Sequence, residues 1–296
     1  MDTSVQLAQT LSEFRKTHST SSLQLGVDRW DYIRGGRGER TIIIVGGGGS
    51  TAESMFSINV ALESICQVIS LGIPTSARTV EDVNRGIEGI LDSLGLGGAI
   101  FLGHSLGGMV VQSFALCHPE RVSGLVLSGT GFYLGARAVW LPAAARVMTW
   151  FPGALLLRAI GASMARLLKT AEAKDFWLEF YQEELRQPNS GARLKHQSSL
   201  LAKYATSFQG NPIRSSLPWV NTVPVQIIVA EDDRGFTKRE IAHLGSLYPR
   251  SQTLTLPVGT GHLSFLTRPR EYVHTVRRFV ASVSNEDSFS VQIRGN

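Results

Sequence analysis

Apolar residues recur along this chain at two alternating periods, and the alternation lays out its elements. Val5, Leu7, Ala8, Leu11 and Phe14 fall at loose helical spacing, which predicts a short leading helix. Residues 23–25 and 30–33 read as short strands separated by Gly26, and Gly35 to Gly38 read as a turn. Thr41-Ile42-Ile43-Ile44-Val45 is an unbroken β-branched run, the pattern of a strand buried on both faces of a parallel sheet. It runs into Gly46-Gly47-Gly48-Gly49-Ser50, where glycines let backbone amides approach a ligand closely.

Strand and helix patterns then take turns. Residues 52–64 read as a helix, 66–71 as a strand leaving through Gly72-Ile73-Pro74, and Val83, Ile87, Ile90, Leu91 and Leu94 mark a helix opening after Thr79. Glu81 and Asp82 sit near the positive end of that helix's dipole. An apolar strand from Ala99 leads to Gly103-His104-Ser105-Leu106-Gly107, followed by a helix from Leu106 through Cys117 and a strand over 122–127. This β-α-β-α-β order implies a parallel sheet with right-handed crossovers.

Between Gly129 and about Pro218 the alternation stops, and helices broken by Pro142, Pro152, Pro188 and Gly191 read as an insertion. Strand pattern returns at 224–230, and Thr237-Lys238-Arg239-Glu240 is a capping box opening a helix with Ile241, Leu244 and Leu247. A last strand over 253–256 precedes Gly259-Thr260-Gly261-His262. Pro269 then opens a helix whose apolar face is Tyr272, Val273, Val276, Phe279 and Val280. The polar tail from Ser282 is expected to fray. The expected division is a core over 1–131, an insertion over 132–217, a second core part over 218–283 and a tail over 284–296.

Composition narrows the function classes. With 43% hydrophobic and 18% charged residues in 296, the chain has the balance of a globular protein with a sizeable core. The net charge of +5 is spread among 24 acids, with no basic stripe interleaved with aromatics, so no nucleic-acid partner is expected. Cys66 and Cys117 lie in apolar segments without metal-site spacing and read as buried thiols. The start Met1-Asp2-Thr3-Ser4-Val5-Gln6 lacks the pattern of a signal peptide, and Arg146, Arg158 and Arg166 interrupt the most apolar region. A cytoplasmic setting, no membrane span and a monomer or homodimer are expected. The glycine run lacks the Gly-Lys-Ser/Thr of a phosphate loop and the G-x-G-x-x-G of a dinucleotide site, so nucleotide binding is disfavoured.

Ser105 stands in a G-x-S-x-G pentapeptide, which presents a hydroxyl from a tight strand-to-helix corner. A serine becomes a useful nucleophile only when a base takes its proton and a third group orients that base. Of seven histidines, His18, His118, His196, His243 and His274 lie in the leading segment, the insertion or helices, and His104 adjoins the serine on a turn where side chains diverge. His262, in a glycine-rich loop after the last strand, is therefore the expected base. The acid is expected from Glu231-Asp232-Asp233, directly after a parallel strand, because such sheets bind ligands beyond their carboxyl edge. The Leu106 N–H begins a helix and can hold an oxyanion; Gly47 or Gly48, with Gly48 preferred, can supply a second donor.

These residues resemble the α/β-hydrolase family from about Trp30 to Val280. The order Ser105, acid, His262, with a helical insertion before the acid-bearing strand, matches that family's order and its cap domain, and His118-Pro119-Glu120-Arg121 is similar to its members as well. The resemblance implies an α/β fold with a mostly parallel central sheet flanked by helices. The family's acid ends a Gly-x-x-Asp pattern, so Ala230-Glu231-Asp232-Asp233 nominates Asp233, with Asp232 in reserve because Ala230 replaces the glycine. The chain has Gly46-Gly47 where relatives usually have His-Gly. Ser105 at the nucleophile position argues against dehalogenase or epoxide hydrolase activity, which uses aspartate there. Relatives that hydrolyse carbon-carbon bonds often carry tryptophan soon after the histidine, where this chain has Leu263-Ser264-Phe265.

The expected activity is hydrolysis of a carboxylic ester or related acyl compound through an acyl-enzyme on Ser105, with no cofactor or metal and a hydrophobic small-molecule substrate. The alternatives are a carbon-carbon hydrolase or lyase acting on a ketone with the same residues, and a non-hydrolytic binder on the same fold. The insertion holds Trp140, Leu141, Met148, Trp150, Phe151, Leu155, Leu156, Leu157, Phe176, Trp177, Phe180 and Tyr181, a density that suggests an apolar pocket.

Overall fold

The computed structural model describes residues 2–208, 220 and 222–283. Its order opens with α1 (Thr3–Thr17), the hairpin strands β1 (Thr20–Leu25) and β2 (Asp28–Gly36), β3 (Thr41–Val45), α2 (Phe56–Leu62) and β4 (Gln67–Gly72). It continues through α3 (Val80–Ser93), β5 (Ala99–His104), α4 (Leu106–Cys117) and β6 (Val122–Ser128). Four helices follow, α5 (Arg137–Met148), α6 (Gly153–Leu167), α7 (Lys174–Arg186) and α8 (Ser190–Ser207). The chain then returns through β7 (Val225–Ala230), α9 (Lys238–Leu247), β8 (Ser251–Leu256), the single turn α10 (Ser264–Thr267) and α11 (Pro269–Ser282).

The strands form one sheet in the order β1-β2-β4-β3-β5-β6-β7-β8. β2 pairs antiparallel with both β1 and β4, and β4 through β8 with β3 are parallel. β3, β5, β6 and β7 are buried at every position, as strands covered by helices on both faces must be. On one face Phe101, Leu125 and Ile227 pack with Ile87 of α3, Phe114 of α4 and Leu244 of α9; on the other Ile42, Ile100 and Val126 pack with Phe14, Phe56 and Phe279. The helix starts follow the sequence: Thr79 and Thr237 each cap their helix in a reciprocal box with Asp82 and Glu240.

Two local expectations are corrected. The helix expected over 52–64 is helical only from Phe56, because Thr51 and Ser54 spend their hydroxyls on Glu184 of α7 while residues 51–56 turn through the bonds Ser54 N–H to Thr51 O and Phe56 N–H to Glu53 O. Cys66 is buried as expected, but Cys117 is exposed, since it ends α4, where its sulfur accepts the Asn84 amide. Helices α5 to α8 occupy the segment read as an insertion; its expected end at 217 and the expected tail over 284–296 lie outside the described residues. Among the described residues no helix is long and apolar enough to cross a membrane.

Candidate active site

β5 delivers the chain into a corner that only particular residues can make. Ser105 has φ 54° and ψ −118°, a left-handed conformation that costs a residue with a Cβ on the order of 1–3 kcal/mol. The corner survives because its neighbours leave no room for an alternative. A Cβ at Gly103 would lie 2.4 Å from the Gly107 carbonyl oxygen, and one at Gly107 would lie 2.0 Å from that of Val45. Thr130 Oγ1 donates to the Ser105 carbonyl oxygen at 2.8 Å, and the Ser105 N–H donates to Ser128.

Three side chains from three loops meet at this corner. His262 Nε2 lies 3.0 Å from Ser105 Oγ, and His262 Nδ1 lies 2.9 Å from Asp233 Oδ1 and 3.0 Å from Oδ2. Ionised Asp233 can only accept, so Nδ1 carries the ring proton and Nε2 is left to accept from the serine hydroxyl. Burial opposes ionisation of Asp233, but bonds from His262 and the Gly235 amide (2.7 Å) outweigh it and hold the carboxyl below the usual carboxylate range. Such a line moves a proton from hydroxyl to imidazole while the carboxylate stabilises the resulting imidazolium.

Asp232, the reserve acid, is engaged elsewhere. Its carboxylate accepts the main-chain N–H groups of Gly259 and Gly261, each at 2.8 Å, and so shapes the loop that presents His262. Gly47, Gly48 and Gly49 line the cavity above Ser105. Gly47 is the one closest to the serine, since a Cβ there would stand 3.2 Å from Ser105 Cβ, whereas one at Gly48 would meet open space. The N–H of Leu106 heads α4, where the first amides have no partner within the helix.

His104 departs from the expectation that its side chain diverges from the site. Its buried ring sits with its centroid 5.1 Å from that of His262, its Nδ1 3.2 Å from Ser128 Oγ. Burial above all, with the proximity of the His262 ring adding to it, pushes its pKa down to about 3, so it stays neutral beside the base. The other histidines are held away from the site: His18 pairs with Glu63 and His196 bonds the Ala77 carbonyl.

The cavity over Ser105, of about 220 Å³, is roofed by Ile160, Met164 and Leu167 of α6 and Tyr181, Glu184 and Leu185 of α7. It is apolar, but of the twelve insertion residues singled out from sequence only Tyr181 lines it. Phe176, Trp177 and Phe180 instead pack on Phe56, while Trp140, Trp150 and Leu155 face outward. Helical spacing alone does not reveal which apolar positions of α6 and α7 meet the cavity and which pack on the core. Two polar residues escaped the sequence reading. Gln197 of α8 accepts the Gly49 N–H and donates to the Ser50 carbonyl at 3.1 Å, and Glu184 binds Thr51 and Ser54. Each reaches across more than a hundred positions to these loop residues, and no local motif links them.

Comparison with known proteins agrees with this architecture. The chain is 26% identical over 260 residues to a pimeloyl-[acyl-carrier protein] methyl ester esterase of Edwardsiella ictaluri (strain 93-146), covering 82% of this chain and 94% of that protein. A shorter segment of 112 residues is 33% identical to the 2-hydroxy-6-oxo-6-phenylhexa-2,4-dienoate hydrolase of Comamonas testosteroni, covering 34% of this chain and 39% of that one. In fold it superposes on the meta-cleavage product hydrolase of Pseudomonas fluorescens IP01 with a TM-score of 0.70 at 20% identity, over 89% of this chain and 98% of that one. The family model for the alpha/beta hydrolase fold matches residues 40–269, which include the Ser105 corner, both aspartates and His262, and the chain belongs to that family.

Proposed function

We propose that the protein hydrolyses a carboxylic ester through an acyl-enzyme on Ser105. His262 takes the hydroxyl proton and later protonates the leaving alkoxide, and Asp233 holds the imidazole in the required tautomer. The N–H of Leu106 and one from Gly48 or Gly47 hold the oxyanion, each such donor typically being worth about 2.7–4 kcal/mol of barrier. Helices α5–α8 act as a cap whose apolar underside receives a hydrophobic small molecule, in a cytoplasmic protein that works as a monomer or homodimer.

The observation that carries this reading is the 3.0 Å approach of His262 Nε2 to Ser105 Oγ with Asp233 on the far side of the ring. The esterase relative, matched over most of both chains, supports an ester over other acyl groups. A serine-reactive fluorophosphonate is expected to label Ser105, and turnover of p-nitrophenyl esters is expected to vanish in Ser105→Ala. A well-folded protein that neither labels nor turns over would sink the proposal. The likeness to the dienoate hydrolase supports a second reading, carbon-carbon cleavage of a ketone by the same three side chains. A panel of esters and diketones separates the two.

A further inference from the structure

The cavity wall carries an acidic side chain that the catalytic line does not use. Glu184 is 3% exposed, and apart from the two histidines and Tyr181 it is the single ionisable side chain among the described residues lining the cavity. Its carboxylate is satisfied by neutral donors. Oε2 accepts the hydroxyls of Thr51 at 2.8 Å and Ser54 at 2.7 Å, and Oε1 accepts the Gln187 amide at 2.8 Å. Arg193 is close enough to feel this charge, but its guanidinium donates to the carbonyl oxygens of Glu184 and Gly49, at 3.1 and 3.2 Å, instead of to the carboxylate. His104 is kept neutral by burial, and His262 turns its N–H toward Asp233.

Three neutral donors fix this carboxylate in a wall where Ile160, Met164 and Leu167 screen charge far less than water does. We propose that Glu184 is a specificity residue that restricts the site to esters with no negative charge on the bound acyl portion. The inference rests on the esterase reading for its substrate class. It also gives the products a direction: ester plus water yields an alcohol, a proton and a carboxylate, and the carboxylate is repelled from the cavity it was made in. Like-charge exclusion of this kind sets specificity without any loss of apolar contact for the accepted substrate.

The test compares p-nitrophenyl pentanoate with mono-p-nitrophenyl glutarate, which match in chain length and differ by a terminal carboxylate, after subtraction of uncatalysed hydrolysis. The wild-type full-length enzyme is expected to prefer pentanoate by roughly a hundredfold in kcat/KM. In Glu184→Gln that ratio is expected to fall at least tenfold, and inhibition by free pentanoate to strengthen. Equal wild-type rates, or a ratio unchanged in Glu184→Gln, overturn the inference. Should Glu184→Gln fail to fold by circular dichroism, the wild-type ratio decides. Should neither ester be cleaved, the esterase reading falls, and calorimetry on the wild-type protein with hexanol and hexanoate still tests the charge: at least tenfold tighter binding of hexanol supports it, and equal binding overturns it.

Discussion

Asp232 and Asp233 are neighbours in sequence that grip opposite parts of the same loop. Asp233 accepts the ring N–H of His262, and Asp232 accepts the main-chain N–H groups of Gly259 and Gly261 that lead up to it. On the proposed mechanism, Asp233→Asn presents an amide where His262 needs an acceptor and lowers kcat by roughly 10³–10⁴-fold. Asp232→Ala leaves two loop amides without their charged acceptor and costs about 2–3 kcal/mol of stability. Its kcat falls by less than that of Asp233→Asn. Ester kinetics and urea unfolding of both variants check the division; equal kinetic losses would contradict it.

The strain at Ser105 has a measurable consequence. Glycine tolerates φ 54° and serine does not, so Ser105→Gly is expected to stabilise the protein by about 1 kcal/mol even after glycine's entropic cost. Ser105→Ala keeps a Cβ and gains nothing from relief of that strain. Calorimetric melting should place the glycine variant about 2–4 °C above the alanine variant.

His104 makes the fold sensitive to acid. Its pKa is near 3 when folded and near 6.5 when exposed, so below pH 6.5 the unfolded chain binds a proton that the folded one does not. The stability it contributes is therefore complete above pH 6.5 and lost as pH falls from 6.5 toward 3. Its loss is on the order of a few kcal/mol. The depressed pKa of Asp233 adds a loss in the same direction, below the ordinary carboxylate range. Urea midpoints measured from pH 7 to pH 4 should fall less steeply in His104→Gln than in the wild type.

Gln197 ties the insertion to the glycine loop, bonding the Gly49 N–H and the Ser50 carbonyl. Removing it frees the loop proposed to hold the oxyanion, and small displacements there cost rate more than binding. Gln197→Ala is expected to lower kcat roughly 10- to 100-fold with a smaller change in KM. Gln197→Glu keeps an acceptor for Gly49 and should lie between the two. A loss confined to KM would assign the residue to substrate binding instead.

Much of this protein is written in local pattern. The β-branched run at Thr41–Val45, the capping boxes at Thr79 and Thr237 and the glycines around Ser105 each specify a conformation through residues within a few positions of one another. That is why the order of strands and helices, the helical character of the segment between β6 and β7, and the three loops bearing Ser105, Asp233 and His262 could be read before any contact was known. Tertiary structure decided what depends on partners far along the chain. It separated the tasks of Asp232 and Asp233, brought His104 beside His262, and turned Met164 and Leu185 toward the cavity while Trp150 faced outward. It also placed Glu184 and Gln197 against loops more than a hundred positions away. Periodicity fixes the face a helix offers, but the packing of whole elements chooses what that face meets.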